Sequence, residues 1–186
     1  MKSIAIVYSE KPDFNYGNAL ISYTIAHNMR YHGFNVIIIA KTRIPTINIR
    51  FLNISSYVYS IPNIIVETWI KSTDISIILS ELFHDEGLDK IVCYGLPCLL
   101  GSIPIKIYSR IKNVYIPSET DVRLLTSSDG LMIETYNKLL GHAIKYADLI
   151  FDYELHLQPI LKNLGLGLEN PLMTNNPKIL EEFLLN

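Results

Sequence analysis

At 186 residues, with 49% hydrophobic and 18% charged side chains, the chain can bury a sizeable core and reads as one globular unit. A net charge of −2 with no Lys/Arg cluster excludes the basic stripe that a nucleic-acid partner would need. No apolar run nears the ~20 residues of a membrane span, and the N-terminal run is cut short by Ser9, Glu10, Lys11 and Asp13, so a cytoplasmic protein with at most peripheral membrane contact is expected.

Ser3 to Tyr8, SIAIVY, is an almost continuous apolar run between Lys2 and a polar stretch holding Pro12, the pattern of a central parallel strand covered on both faces. From Asn18 to His32, Ile21, Ile25 and Met29 recur every fourth position with Ala26 beside them, which makes one buried helical stripe. Asn18 suits the N-cap and Gly33 a left-handed stop, after which Phe34 to Ala40, FNVIIIA, reads as a second strand. The segment from Phe14 to Ile39 therefore completes a βαβ unit, and its loop leaves the first strand's carboxyl end against the free N–H groups of the helix.

A third strand is expected near Tyr57 to Ser60, with a loop before it. Helical spacing returns from Ile64 to His84, but Ser72 to Asp74 interrupts it and Thr73 or Asp74 can cap a new start. One broken helix or two short ones are expected, stopped by Gly87. Lys90 to Tyr94, KIVCY, is the next buried strand, followed by a Gly95, Pro97 turn. Ser102 is expected to cap a helix running to about Lys112, with Pro104 tolerated in its first turn.

Asn113 to Pro117 reads as a strand whose carboxyl end delivers Ser118, Glu119, Thr120 and Asp121. A polar loop from Thr126 to Gly130 leads to a long helix, Leu131 to Tyr146; Asp148 to Tyr153 is a final strand, and Leu155 to Leu164 a final helix stopped by Gly165. The alternation implies an α/β fold, a single Rossmann-like domain over residues 1–166 whose parallel sheet carries helices on both faces. Residues 167–186, loosened by Asn170, Pro171, Asn175, Asn176 and Pro177, read as a C-terminal tail with a short helix from Ile179 to Leu185. Cys93 and Cys98 are separated by four residues in apolar surroundings, a spacing that suits neither a zinc ribbon nor a CxxC redox pair, and read as two reduced structural thiols.

The order strand, glycine-containing polar loop, helix, then HGFNVIIIAKT resembles the amino-terminal domain of GT-B glycosyltransferases, especially the family 4 type. Asp89 to Tyr94, DKIVCY, is similar to that family's acid-led strand before a small-residue turn, and Asn113 to Asp121 to its strand ending in an acceptor-side loop. Tyr146 to Tyr153, YADLIFDY, resembles its alanine-aspartate strand entry, and a helix ending LKNLG follows. The resemblance spans nearly the whole chain. The family's donor-binding half, with its Glu-x7-Glu motif, has no counterpart here, since no two glutamates have that spacing, and the paired glycines of the first loop are reduced to one.

The resemblance implies a glycosyltransferase or one subunit of it, with this chain as the acceptor-binding half and a nucleotide sugar as co-substrate. Beyond that co-substrate no cofactor is expected. Expected partners are a carbohydrate or lipid acceptor and either a separate donor-binding subunit or further copies of the chain. The alternative is a non-catalytic ligand-binding or protein-interaction module on the same scaffold. In the first loop, Asn15 or Asn18 can hydrogen-bond sugar hydroxyls, Tyr16 can stack on a sugar face and Gly17 lets a ligand near the backbone; the plainer reading has Gly17 turning the chain and Asn18 capping the helix. Tyr94, Gly95 and Ser118, at the ends of later strands, complete the candidate binding set. Glu119 and Asp121 are the candidate catalytic carboxylates, since at a strand end they can share a face as a general base for an acceptor hydroxyl requires; the plainer reading is a solvated turn. No D-x-D pair and no H-x3-H or H-E-x-x-H spacing marks a metal site.

Overall fold

The computed structural model describes residues 2–42, 44, 49–54, 63–126, 130–163 and 171–186. Seven strands form one sheet: β1 (Ser3–Tyr8), β2 (Asn35–Ala40), β3 (Arg50–Asn53), β4 (Leu88–Tyr94), β5 (Lys112–Ile116), β6 (Leu149–Phe151) and β7 (Leu172–Thr174). Their order is β3-β2-β1-β4-β5-β6-β7, with every pair parallel. The chain reverses direction across the sheet between β1 and β4, the crevice at which open α/β sheets place ligands.

The helices are α1 (Gly17–Tyr31), α2 (Ile64–Glu86), α3 (Leu96–Tyr108), α4 (Glu119–Thr126), α5 (Leu131–Ala143), α6 (Leu157–Asn163) and α7 (Pro177–Leu185), with a 3-10 turn at Ile144–Tyr146 extending α5. Alternation along β1 sorts the core into two layers. Ile4, Ile6 and Tyr8 pack with Ala19, Ile25 and Met29 of α1 and Leu180 and Leu184 of α7. Ala5 and Val7 pack with Ile75 and Leu79 of α2, Leu96 and Leu99 of α3, and Leu140 of α5. A parallel sheet covered on both faces is what the apolar strands required.

Several boundaries differ from the sequence reading. The strand beside β2 lies at Arg50–Asn53, in the stretch expected to be a loop, while Tyr57 to Ser60 falls outside the described residues. α2 is one unbroken helix of 23 residues. Ser72 and Thr73, expected to break it, turn their hydroxyls back onto the Trp69 carbonyl at 2.8 and 3.0 Å and so stay within the helix. Asn63 caps its start, accepting from the N–H groups of Ile65 and Val66 at 2.9 and 3.4 Å, and Gly87 ends it at φ +63°.

α3 starts at the Gly95, Pro97 turn and not at Ser102. Gly95, at φ +97°, redirects the chain and Pro97 fits the first turn, where its missing N–H costs nothing. Ser102 is buried within the helix, donating to the Leu99 carbonyl and accepting from the Asn113 side-chain amide, both at 2.8 Å. Cys93 and Cys98, expected as thiols, are paired in a disulfide that ties the end of β4 to the first turn of α3, with Cα atoms 5.1 Å apart.

The stretch after residue 170 adds β7 to the sheet edge and then α7, which begins two residues before the expected helix. Lys90, 3% exposed, donates to the Leu184 carbonyl at 2.5 Å and so closes the C-terminal end of α7. No helix among the described residues is long and apolar enough to cross a membrane.

α2 and α3 cross closely because position 101 has no side chain. A Cβ there would sit 2.6 Å from the Ser72 carbonyl oxygen. Gly101→Ala is therefore expected to force the two helices apart and cost roughly 1–3 kcal/mol, measured as a lower denaturation midpoint with an unchanged slope. An unchanged midpoint would show that the helices separate freely.

Candidate functional site

The carboxyl ends of β1, β4, β5 and β6 meet in one mouth. β1 is pinned to β4 there, since Ser9 donates to the Tyr94 carbonyl through its N–H at 3.2 Å and its hydroxyl at 2.8 Å. The Gly95 N–H reaches the Ile116 carbonyl at 3.0 Å and draws β4 onto β5. Any Cβ at position 95 would collide with the Ser9 hydroxyl.

Asn18 is fully buried in α1 and does not cap it; the capping position is Tyr16, which makes no side-chain cap bond. The Asn18 amide donates to the Pro117 carbonyl at 3.2 Å and to Asp152 at 3.4 Å, and its carbonyl oxygen accepts the Tyr153 N–H at 2.8 Å. One side chain thus joins the loops after β1, β5 and β6. Gly17 has an ordinary helical φ, and its role is space: the Tyr153 ring would lie 2.7 Å from a Cβ there. Tyr153 and Glu154 occupy the ground above Gly17 that a ligand was expected to approach.

Three helices begin at this mouth with their leading N–H groups taken by the protein's own carboxylates. Asp121 accepts the Leu96 N–H at the start of α3 at 3.3 Å. Glu10 accepts the Thr120 N–H of α4 at 3.2 Å and also the Thr120 hydroxyl. Asp152 accepts the Leu157 N–H of α6 at 2.7 Å. Each satisfies donors that a helix start otherwise leaves open and places negative charge at the positive end of the helix dipole.

Glu119 and Asp121 do not share a face, because they lie two residues apart on a helix, about 200° around its axis. Asp121 turns inward and is fully buried. Besides Leu96 it accepts the Ser118 N–H at 2.9 Å, the Tyr115 hydroxyl at 2.8 Å and the Tyr136 hydroxyl. Burial pushes its carboxyl above the usual range, partly offset by the bonds from Tyr136 and Ser118. Glu119 turns outward over the mouth and accepts the Asp13 N–H at 3.2 Å. Desolvation raises its pKa as well, against the Asp13 N–H, with Glu10 and Asp13 adding to the rise and Arg123 opposing it.

Tyr94, at the end of β4, is fully buried and its hydroxyl has no hydrogen-bond partner among the described residues. Burial raises its pKa, and so do Glu119 and Glu10 nearby, which keeps the phenol protonated and a donor. Tyr16 is half-buried, its phenol raised by desolvation and by Asp152 and Glu154. Asn15 lies at the surface, its N–H and amide both held by Asp13 at 2.9 Å. Ser118 is buried and its hydroxyl accepts the Asp121 N–H at 3.3 Å. Among the described residues no group of three or more His, Cys, Asp or Glu is placed to hold a metal ion. Sequence reasoning passed over Ser9, Asp152 and Tyr153; Asp152, a lone acid just after the apolar LIF of β6, carried the same strand-end signal as Asp121.

No known family profile matches the sequence, and no curated protein sequence does. Solved structures do match by shape. Sucrose-phosphate synthase from Thermosynechococcus elongatus matches with a TM-score of 0.64 at 10% identity, over 88% of this chain and 45% of that one. The fold is that of one half of a GT-B enzyme. A putative UDP-N-acetylglucosamine 2-epimerase from Listeria monocytogenes matches with a TM-score of 0.55 at 14% identity, over 94% and 44% of the two chains. LpCGTa, solved in complex with UDP, matches with a TM-score of 0.53 at 13% identity, over 92% and 52%. The chain thus spans about half the length of these structures.

A carboxyl whose folded pKa lies above its unfolded value, ~4.3 for glutamate, favours folding most at low pH, and that contribution is lost as pH rises through the folded value. Glu119→Gln keeps an oxygen for the Asp13 N–H and removes the charge. It is expected to raise the unfolding midpoint at pH 7 and to leave it unchanged below about pH 4; a lowered midpoint at pH 7 would show that the charge stabilises. Asp121→Ala strands two N–H groups and two hydroxyls and is expected to cost about 3 kcal/mol or more in chemical denaturation.

Proposed function

We propose that this chain is the acceptor-binding half of a glycosyltransferase of the family 4 type, acting in the cytoplasm with a donor-binding half supplied by a separate subunit or another copy. The observation that carries the reading is the filling of three of the helix starts at the mouth, those of α3, α4 and α6, while α1 starts without a side-chain cap. A nucleotide sugar's diphosphate is ordinarily held by free N–H groups at a helix N-terminus, and at α3, α4 and α6 those groups bind Asp121, Glu10 and Asp152. The likeness to one half of GT-B enzymes supports the same division of labour.

In that role Glu119 is the base. The acceptor oxygen forms the bond to the anomeric carbon, the departing nucleoside diphosphate takes the electron pair of the broken bond, and the hydroxyl proton passes to Glu119. Its raised pKa brings the carboxylate nearer to what a base at neutral pH requires. Asp121 has four donors on its two oxygens and serves to position Ser118 and the start of α3. Of the tyrosines and serine at the strand ends, the half-buried Tyr16 would face the acceptor, a carbohydrate or the sugar head of a lipid, while the buried Tyr94 and Ser118 lie beneath it.

A second reading, a sugar-binding module without catalysis, draws on the same self-filled helix starts. One experiment separates the readings: thermal unfolding of the chain with a panel of nucleotide sugars and a panel of glycans, then a transfer assay after adding a donor-half protein. Protection by glycans and not by nucleotide sugars, followed by transfer that Glu119→Gln reduces roughly 100-fold or more, is expected. Protection by glycans without transfer in any combination would favour the module, and protection by nucleotide sugars alone would overturn both.

A further inference from the structure

The outer face of α2 is apolar where a surface helix is ordinarily polar. Val66, Ile70, Thr73, Ile77, Ser80 and His84 follow one another at alternating steps of four and three, the spacing by which one helix lays a seam against another. Trp69 borders that seam. Val66, Trp69, Ile70 and Ile77 are 41–56% exposed, and together they leave open roughly 400 Å² of apolar surface, within the range at which a monomer's largest patch serves an interface. The hydroxyls on the seam are already satisfied: Thr73 donates to the Trp69 carbonyl at 3.0 Å and Ser80 to the Ser76 carbonyl at 2.8 Å. Covering the face therefore strands neither of them.

Charge and position decide what covers it. The helix carries one lysine against five acids, and Lys71 is held by Glu67 at 2.7 Å, so an anionic lipid surface is disfavoured. A donor half has to face the mouth, whereas the seam runs about 27 Å down the helix toward Glu86, whose carbonyl meets Ser3 at the other end of the strands. A second copy fits because the seam is complementary to itself end for end. Antiparallel pairing about a two-fold axis sets Ile70 opposite Ser80 and Ile77 opposite Thr73, a large side chain against a small one each time. Trp69 then comes level with Glu81 of the second copy, at a shallow groove of about 410 Å³ lined by Ile77, Ser80 and Glu81 among others. A parallel pairing would set Trp69 and Ile70 against their own counterparts and leave the Ser80 end gaping. With their polar flanks, two such faces bury about 1,200 Å², the lower bound of a specific complex.

We infer that the chain forms a weak homodimer through antiparallel contact of α2 with α2 of a second copy, the Trp69 of each seated in the groove of the other. Asp74 meets its own counterpart near the axis, so like charge resists the pairing and salt favours it.

The test is sedimentation velocity of the full chain from micromolar to near-millimolar concentration, at low and high salt. A monomer-to-dimer transition that tightens with salt is expected. Trp69→Lys is expected to weaken it roughly thirty-fold or more and Ile77→Lys roughly ten-fold, both at exposed positions and with the unfolding midpoint kept. Tyr31→Ser, 90% exposed on α1, is expected to change nothing. A short bismaleimide reads the register, since Cys93 and Cys98 are tied to each other. Copies carrying Ile70→Cys mixed with copies carrying Ser80→Cys are expected to cross-link, and Ile70→Cys alone is not, its two cysteines lying about 15 Å apart along the axis. A chain that stays monomeric throughout overturns the homodimer, whether or not it binds phospholipid vesicles or a donor-half protein. A dimer that Trp69→Lys leaves intact places the interface elsewhere, and cross-linking by Ile70→Cys alone shows a parallel pairing; each overturns the proposed contact.

Discussion

The arrangement of the mouth depends on how the chain disposes of the N–H groups where helices begin. A parallel sheet brings several helix starts together at one edge, and each presents donors and a positive dipole end to the same space. Here Asp121, Glu10 and Asp152 come in from neighbouring loops and take those donors at α3, α4 and α6. The loops are consequently held from within. Asn18 adds a neutral crosspiece, so the segments after β1, β5 and β6 are tied together without a ligand.

Holding these contacts in place requires small residues where backbones and rings come close. Gly95 leaves room for the Ser9 hydroxyl, Gly17 for the Tyr153 ring and Gly101 for the Ser72 carbonyl. Only Gly95 among these also has a left-handed backbone. A glycine in the first loop therefore reads differently once its neighbours are known: it makes space for an aromatic side chain of the same protein.

The fold was largely legible in the sequence because apolar runs such as SIAIVY and NVIIIA have no exposed face and helices separate them. What escaped were features set by which partner a polar side chain takes, near or far in the chain. Ser72 and Thr73 look like a break until their hydroxyls are seen on the Trp69 carbonyl, and Ser102 looks like a cap until Asn113 is found beside it. β3 and β7 are short edge strands of four and three residues, too brief for periodicity to mark. At the site, strand-end reasoning located Glu119, Asp121 and Tyr94, but which acid faces inward depends on α4 being a helix. Tyr153, nearer in space to Gly17 than any sequence neighbour suggests, left no local signal.

The position of β1 also bears on how the chain folds. It pairs with β2 on one side and with β4 on the other, and Ser3 lies against Leu88, with the Ser3 N–H bound to Asp89 at 2.7 Å where the register shifts. The two halves of the sheet are joined only along this seam, between segments far apart in the chain. Closing so long a loop before its contacts can form is what makes parallel sheets slow to assemble. Until β4 arrives, the apolar edge of β1 is open to a wrong partner, so the rate of that one pairing sets how long the nascent chain is exposed to aggregation.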